Sequence, residues 1–338
     1  MDIRDRQGLR QRAAEALSRA AYSPAKLALL HTGAAVALSL VLTALNFVLA
    51  RQMDGTGGLA GMGLRSVLST AQTMLGIASM IVMPFWEMGF VYAAIRIARE
   101  KRAEPETLLQ GFRRWGPVLR LMLLQGLVYV AIFFLSINIS TAVFVLTPFS
   151  QPIAEMIETL SAETVIDAQL MAQMSSGLIP LYCIFGILFA AFALPVAYRL
   201  RMAQYVIMDD PKIGALAALG TSNRLMRYNR WALFRLDLSF WWFFGLQLLS
   251  TLLGYGDLLI VALDIALPIS EDAAFFVSFV LNSLCQLAIA WWFASRVAVT
   301  YAKAYDALRT QAEDAEPPLV KNLPWDFLPG NERPRSEK

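Results

Sequence analysis

Glu87 and Arg296 are the charged residues that lie deepest within long apolar runs of this 338-residue sequence. If both runs are helices, Glu87 lies about 14 Å from the charged end of its run, and Arg296 about 10 Å from the charged end of its own. A charge at such a depth in a bilayer costs about 3 kcal/mol unless it is paired, protonated or hydrated. The similar depths predict a Glu87–Arg296 ion pair. This pair is either part of a polar pathway for protons, ions or a lipid headgroup, or a structural contact between helices.

Other residues that could do chemistry are scarce. His31 is the only histidine, and the two cysteines, Cys183 and Cys285, both lie inside apolar runs. One histidine and two isolated thiols make neither a Ser-His-Asp triad nor a zinc cage, and no glycine-rich phosphate-binding loop is present. We therefore expect no catalytic residues, no metal and no cofactor, and predict that the protein is not an enzyme.

The apolar runs are long enough to cross a bilayer. The chain is 57% hydrophobic and only 16% charged, and its apolar residues gather in runs of about 20 or more, which is the length of a transmembrane helix. The runs lack the two-residue alternation of a barrel strand. The predicted spans are 27–50, 71–95, 118–142, 177–198, 232–253 and 273–300. A shorter segment, 254–268, is expected either in the membrane or on its outer surface.

The basic residues predict the orientation. All but two of the 29 lysines and arginines lie in four stretches at or next to alternate span ends, 1–26, 96–120, 199–235 and 296–338; the exceptions are Arg51 and Arg65. The other connections carry acids, among them Glu155, Asp167 and Asp257. Because lysine and arginine accumulate in cytoplasmic loops, both termini are predicted to be cytoplasmic. Basic residues that are scattered in this way, with a net charge of +3, argue against a nucleic-acid partner.

The termini and one long connection outside the spans also carry sequence patterns. Residues 1–25 read as a basic amphipathic helix against the inner headgroups, and 26–308 as the membrane domain. Residues 150–175 have helical apolar spacing and a capping-box start, which predicts short amphipathic helices on the outer face. Residues 309–338 contain several prolines and few large apolar residues, which is typical of a disordered cytoplasmic tail.

Residues 209–231, between the fourth and fifth spans, end in closely spaced arginines. Asp209 and Pro211 are suited to begin a helix that would run to about Tyr228. Arg224, Arg227 and Arg230 then lie three residues apart near its negative end. They are predicted either to bind an anionic lipid or a partner protein, each arginine contributing about 1 kcal/mol of attraction to an anionic leaflet, or only to enforce the topology.

Two segments resemble bacterial membrane proteins grouped as domain of unknown function 975. The matching positions are Asp209, Pro211, Gly214, Ala215, Ala218, Leu219, Ser222, Leu225, Met226, Arg230, Trp231, Phe234, Leu236, Ser239 and Phe240, with Arg99, Leu108, Gly111 and Phe112 in an earlier loop. The resemblance covers about 65–310, except for 150–175 and 254–272. It implies a multi-span inner-membrane protein, and it implies neither an activity nor catalytic residues.

Together these patterns predict an all-α, six-span protein of the bacterial cytoplasmic membrane. Its expected role is that of a non-catalytic component whose partners are membrane lipids, anionic ones included, or another membrane protein. The alternative is a small-solute transporter or channel with a polar site around Glu87, supported by Arg296 and by the prolines in the second and fourth spans.

Overall fold

The structure, a computed structural model, describes residues 3–55, 59–151, 178–256 and 271–315. Every regular element within these ranges is helical, which confirms the predicted all-α class. In chain order the α-helices are α1 (Arg6–Ser18), α2 (Pro24–Gly55), α3 (Leu59–Ala98), α4 (Gln110–Arg113), α5 (Trp115–Val145), α6 (Ile179–Leu200), α7 (Ala203–Asp209), α8 (Ala215–Met226), α9 (Arg230–Leu238), α10 (Trp241–Gly254), α11 (Glu271–Ile289) and α12 (Ser295–Ala315). Pro105–Leu109 and Pro148–Ser150 are 3₁₀ turns, and Ala290–Ala294 is a π-helix that joins α11 to α12.

The long helices form three packed pairs, α2 with α3, α5 with α6, and α10 with α11. Five helical stretches in the described residues are long and apolar enough to cross a membrane. They are Pro24–Leu45, Ser66–Ala98, Trp115–Val145, Ile179–Asp209 and Ala273–Asp314. A sixth is obtained when α9 and α10 are counted together. The architecture is therefore that of a multi-span membrane protein, as the apolar runs predict.

The predicted fifth span, 232–253, is not one continuous helix. α9 and α10 meet at an angle of 64°. The break follows from local hydrogen bonds: the Ser239 hydroxyl donates to the Leu236 carbonyl at 2.6 Å, and the Phe240 amide donates to the Asp237 carbonyl at 2.9 Å. These short-range bonds tighten the last turn of α9 and end it, so that only α10 continues as an apolar helix.

The hydrophobic core lies at one end of the molecule, which we call the basic end. It comprises α1, the amino ends of α2 and α5, the carboxyl end of α3, the 105–115 connection, α7, α8, α9 and most of α12. Its buried residues include Leu27, Met88, Leu108, Leu121, Met202, Ile207, Met208, Met226, Leu233, Leu236 and Leu308. By contrast, α6 has no buried residue. The long helices thus turn most of their apolar surface outward, while the helices of the basic end pack against one another.

Two glycines allow the basic end to pack closely. A Cβ atom on Gly89 of α3 would lie 1.8 Å from the Leu108 carbonyl oxygen, and one on Gly111 would lie 1.9 Å from the Phe85 carbonyl oxygen. Any side chain at either position would force the backbones apart. α3 and the 105–113 segment are therefore in backbone contact.

The helix predicted within 1–25 is present as α1, and its apolar face packs on protein; the contact with the inner headgroups stays a prediction. Leu9, Ala13 and Ala16 follow helical spacing, and all three are buried where α1 packs on α12 and α3. The Asp5 side chain caps the helix by accepting a hydrogen bond from the Gly8 amide at 2.9 Å. The apolar face is covered because protein, and not lipid, lies next to it.

The predicted start of the disordered tail, residue 309, is wrong. α12 continues to Ala315, and Arg309 is held by Asp209 at 2.7 Å and by Glu313 at 2.9 Å. The remainder of the predicted tail, 316–338, lies outside the described residues. So do nearly all of the predicted outer helices (152–177) and most of the 254–268 segment (257–270).

Candidate functional site

Four arginines of the basic end line one open cavity of about 520 Å³, which we call the arginine basin. Arg199 lies in the last turn of α6, Arg224 in the last turn of α8, Arg227 directly after α8, and Arg230 at the start of α9. Gly220 and Asn223 of α8 complete the lining. The structure therefore brings together the predicted residues Arg224, Arg227 and Arg230, and adds Arg199, which the sequence analysis did not single out.

The amphipathic pattern of α8 builds the basin. Ala218, Ser222 and Leu225 are spaced as one helical face, and all three are buried. The Ser222 hydroxyl donates to the Arg199 carbonyl oxygen at 2.8 Å, which ties α8 to the end of α6. The opposite face of α8 is consequently turned outward, and Arg224 in its last turn lines the basin together with Arg199.

Three of the four basin arginines have no ion-pair partner among the described residues. Within the described ranges, no carboxylate lies within 4.0 Å of the guanidinium groups of Arg199, Arg227 or Arg230. The Nε atom of Arg230 is buried and donates no hydrogen bond there. Guanidinium groups match the geometry of phosphate oxygens and bind them in a bidentate manner. The basin is thus suited to an anion that has several oxygens.

A buried ion network lies beside the basin. Arg99, which follows α3, donates hydrogen bonds to both carboxylate oxygens of Asp209 and, at 2.6 Å, to Asp306 of α12. Arg309 and the Tyr305 hydroxyl also donate to Asp209, at 2.7 and 3.1 Å. The Asp209 side chain is only 8% exposed. The hydrogen bond to Asp209, together with that to Asp306, outweighs burial and raises the pKa of Arg99 above its ordinary value, so the guanidinium remains charged.

The network corrects the prediction that Asp209 begins a helix. Asp209 is the last residue of α7, and the next helix, α8, begins at Ala215 with Gly214 at its N-cap position. The Asp210 carboxylate, not that of Asp209, accepts a local hydrogen bond, from the Lys212 amide at 2.9 Å. Asp209 cannot serve as a cap because three side chains from other helices occupy its oxygens.

Asp237 of α9 is the centre of a second network. It pairs with Arg201 and accepts hydrogen bonds from the hydroxyl groups of Tyr198 (2.6 Å) and Tyr301. The Arg201 guanidinium also lies 4.5 Å from the centre of the Tyr301 ring. Residues from the ends of α6, α9 and α12 are thereby joined, and the position of α9 before the 64° break is fixed.

The predicted Glu87–Arg296 pair is wrong. The titratable side chain that lies beside Glu87 is His31, whose Nε2 atom is 3.7 Å from the carboxylate; His31 stacks on Phe90 with ring centroids 4.6 Å apart. Arg296 lines a different cavity, near α1. A π-helix precedes Arg296; its wider turn changes the direction of the side chains that follow, an irregularity that regular helical spacing does not reveal.

A comparison with protein families identifies the chain. Residues 4–312 match the family described as "Protein of unknown function (DUF975)". The chain belongs to this family. No curated protein and no solved structure gave a match.

The DUF975 motif positions lie largely in the core of the basic end. Ala215, Ala218, Ser222, Leu225, Met226, Leu236 and Phe240 are buried, as are Leu108 and Gly111. Arg99 and Asp209 form the central pair of the first network. The motif thus corresponds mainly to packing and ion pairing, with Arg230 as its contribution to the basin.

Sequence reasoning missed the two networks. Arg99 and Arg201 count only as loop charges in a topology argument. Acids that lie close to these arginine-rich stretches, among them Asp209, Asp237 and Asp306, are the signal that could have revealed the networks. No group of three or more His, Cys, Asp or Glu residues in the described part of the chain could hold a metal ion, and both cysteines are free.

Proposed function

We propose that this chain is a non-catalytic component of the bacterial cytoplasmic membrane that binds the headgroups of anionic lipids through the arginine basin. The observation that carries the proposal is the convergence of Arg199, Arg224, Arg227 and Arg230 on one open cavity. Arginines that served only to set the topology would need no common cavity, because the topological effect depends on the number of charges near a span.

The orientation follows from the same charges. The basic end contains the connections in which lysine and arginine accumulate, so in the proposal it faces the cytoplasm, and both termini lie there. Anionic lipids give the cytoplasmic leaflet a negative surface potential, and each nearby arginine contributes about 1 kcal/mol of attraction. The basin would therefore meet phosphate groups at the leaflet surface.

Three arginines whose guanidinium groups face no described carboxylate provide the test. Changing Arg199, Arg227 and Arg230 together to glutamine removes three charges from the basin, and with them about 3 kcal/mol of attraction. The affinity of one phosphatidylglycerol site of the purified, delipidated protein should fall on the order of 100-fold, measured by counting the bound lipid molecules with native mass spectrometry.

A matched control changes Arg12, Arg113 and Arg120 to glutamine. These arginines are also exposed at the basic end, but they do not line the basin. The control has the same net charge as the test variant and should retain most of the affinity. Equal losses in the two variants would mean that charge alone matters, and would contradict a defined lipid site.

Transport of a small solute is the second candidate function. It is favoured by Glu87, which has a second titratable side chain, His31, at 3.7 Å, at a depth where an acid is costly unless it is hydrated, paired or protonated. Unchanged phosphatidylglycerol binding in the basin variant would contradict the lipid-binding proposal. Transport at the Glu87–His31 pair would then become the favoured function.

A further inference from the structure

A second cavity, of about 920 Å³, lies between α1 and the helices that follow the α9–α10 break; we call it the α1 cleft. α1 forms one wall, and Phe240, Trp242, the π-helix and the start of α12 form the other. No residue of the cleft belongs to the arginine basin. Its volume is in the range of ligand-binding pockets, roughly 300–1,000 Å³.

Two helix irregularities face the α1 cleft. Phe240 lies at the 64° break between α9 and α10, and Phe293 lies within the π-helix. Phe293 packs edge-on against Trp242, with ring centroids 4.5 Å apart. π-helices occur frequently at functional sites, because they redirect side chains. Here the break and the π-helix together place three aromatic side chains on one wall.

The remaining part of the cleft is polar and positively charged. Arg10 comes from α1, and Arg296 and Thr300 come from α12. The Arg10 guanidinium lies 5.4 Å from the centre of the Phe240 ring. In the portion of the chain that the structure describes, neither Arg10 nor Arg296 has a carboxylate within 4.0 Å. The cleft therefore combines a cationic part with an aromatic part.

We propose that the α1 cleft binds one molecule of an anionic phospholipid. The phosphate lies between Arg10 and Arg296, and the upper acyl chains lie along Trp242 and Phe293. From there the chains can continue over the exposed apolar surface of α10, where Trp241 and Phe244 are 69% and 43% exposed. An amphiphile fits both parts of the cleft, whereas a free phosphate would leave the aromatic wall uncovered. The inference does not depend on the arginine basin.

Two kinds of variant of the full-length protein test this assignment. In the first, Arg10 and Arg296 are both changed to glutamine, which should weaken the binding of one phosphatidylglycerol about 30-fold. In the second, Ala14→Trp fills the cleft from α1 without a change in charge and should displace the same lipid. Native mass spectrometry of the delipidated protein, titrated with phosphatidylglycerol or phosphatidylcholine, counts the bound molecules.

Matched controls separate the cleft from general effects. Arg12→Gln with Arg120→Gln removes the same charge outside the cleft, and Ala217→Trp adds the same ring to the exposed face of α8; both should bind as the parent does. Unchanged binding in both cleft variants would overturn the proposal, as would phosphatidylcholine binding as tightly as phosphatidylglycerol. A loss confined to the basin variant of Arg199, Arg227 and Arg230 would support the basin and contradict the cleft.

Discussion

Asp209 connects three helices of the basic end. Its carboxylate is nearly buried and accepts hydrogen bonds from Arg99, Arg309 and Tyr305. Arg99 comes from the end of α3, and the other two come from α12, so that one acid connects three helices. Removing one partner of such a pair leaves an uncompensated charge in a poorly hydrated site, which costs more than an exposed ion pair contributes.

The Arg99–Asp209 pair should therefore show strong coupling. Asp209→Asn and Arg99→Met should each destabilise the protein by about 2–4 kcal/mol. The double variant should recover about 1–3 kcal/mol of the summed loss. The check is a double-mutant cycle on thermal unfolding in detergent. Glu313→Gln is the control: it breaks the exposed Arg309–Glu313 pair and should cost only about 0.3–0.5 kcal/mol. Strict additivity of Asp209→Asn and Arg99→Met would contradict the buried-pair account.

Asp209 also shows what the sequence alone does not reveal at this scale. Its position before Pro211 favours a helix N-cap. A short sequence pattern, however, carries information only about neighbours along the chain. Its actual partners lie about 100 residues away along the chain, at Arg99, Tyr305 and Arg309. The same limit applies to Glu87, where depth alone favoured Arg296 and the observed neighbour is His31. By contrast, the convergence of Arg224, Arg227 and Arg230 was predictable, because their spacing places them close together along one segment.

Among the elements, the long apolar helices were predictable and their irregularities were not. Hydropathy identifies α2, α3, α5 and α6 well, since a bilayer requires long apolar runs. The break between α9 and α10 and the π-helix between α11 and α12 depend on a few hydrogen bonds and on tertiary contacts. The buried face of α1 was also missed, because its apolar stripe does not show whether lipid or protein covers it.

Gly89 of α3 provides a test of the contact between α3 and the 105–113 segment. Ala normally favours a helix over Gly by about 1 kcal/mol. A methyl group at Gly89 would, however, collide with the Leu108 carbonyl oxygen, so Gly89→Ala should destabilise the protein by about 1–3 kcal/mol. Gly76→Ala, in the same helix but with no atom within 4 Å, should leave the unfolding temperature unchanged or raise it. A Gly89→Ala protein that melts no earlier than the Gly76→Ala protein would refute the close approach of α3 and the 105–113 segment.

At the scale of the whole molecule, the structure has two unequal parts. The basic end has a continuous hydrophobic core and both ion networks, whereas the long helices leave large apolar side chains exposed, among them Met80, Leu127, Ile187 and Leu248. This division is expected if lipid covers the long helices and water bathes the basic end. The arginine basin and the α1 cleft both lie at the basic end, where an anionic leaflet would meet them.

In the proposed function, the basic end faces the cytoplasm. Cysteine labelling in intact cells tests it most directly, with Cys183 and Cys285 first changed to serine. Single cysteines then replace the exposed residues Glu104 and Lys212 at the basic end, or Leu146 and Tyr255 at the opposite end. A membrane-impermeant maleimide should label positions 146 and 255 in intact cells, and positions 104 and 212 only after the cells are lysed. Labelling of 104 and 212 in intact cells would contradict the account.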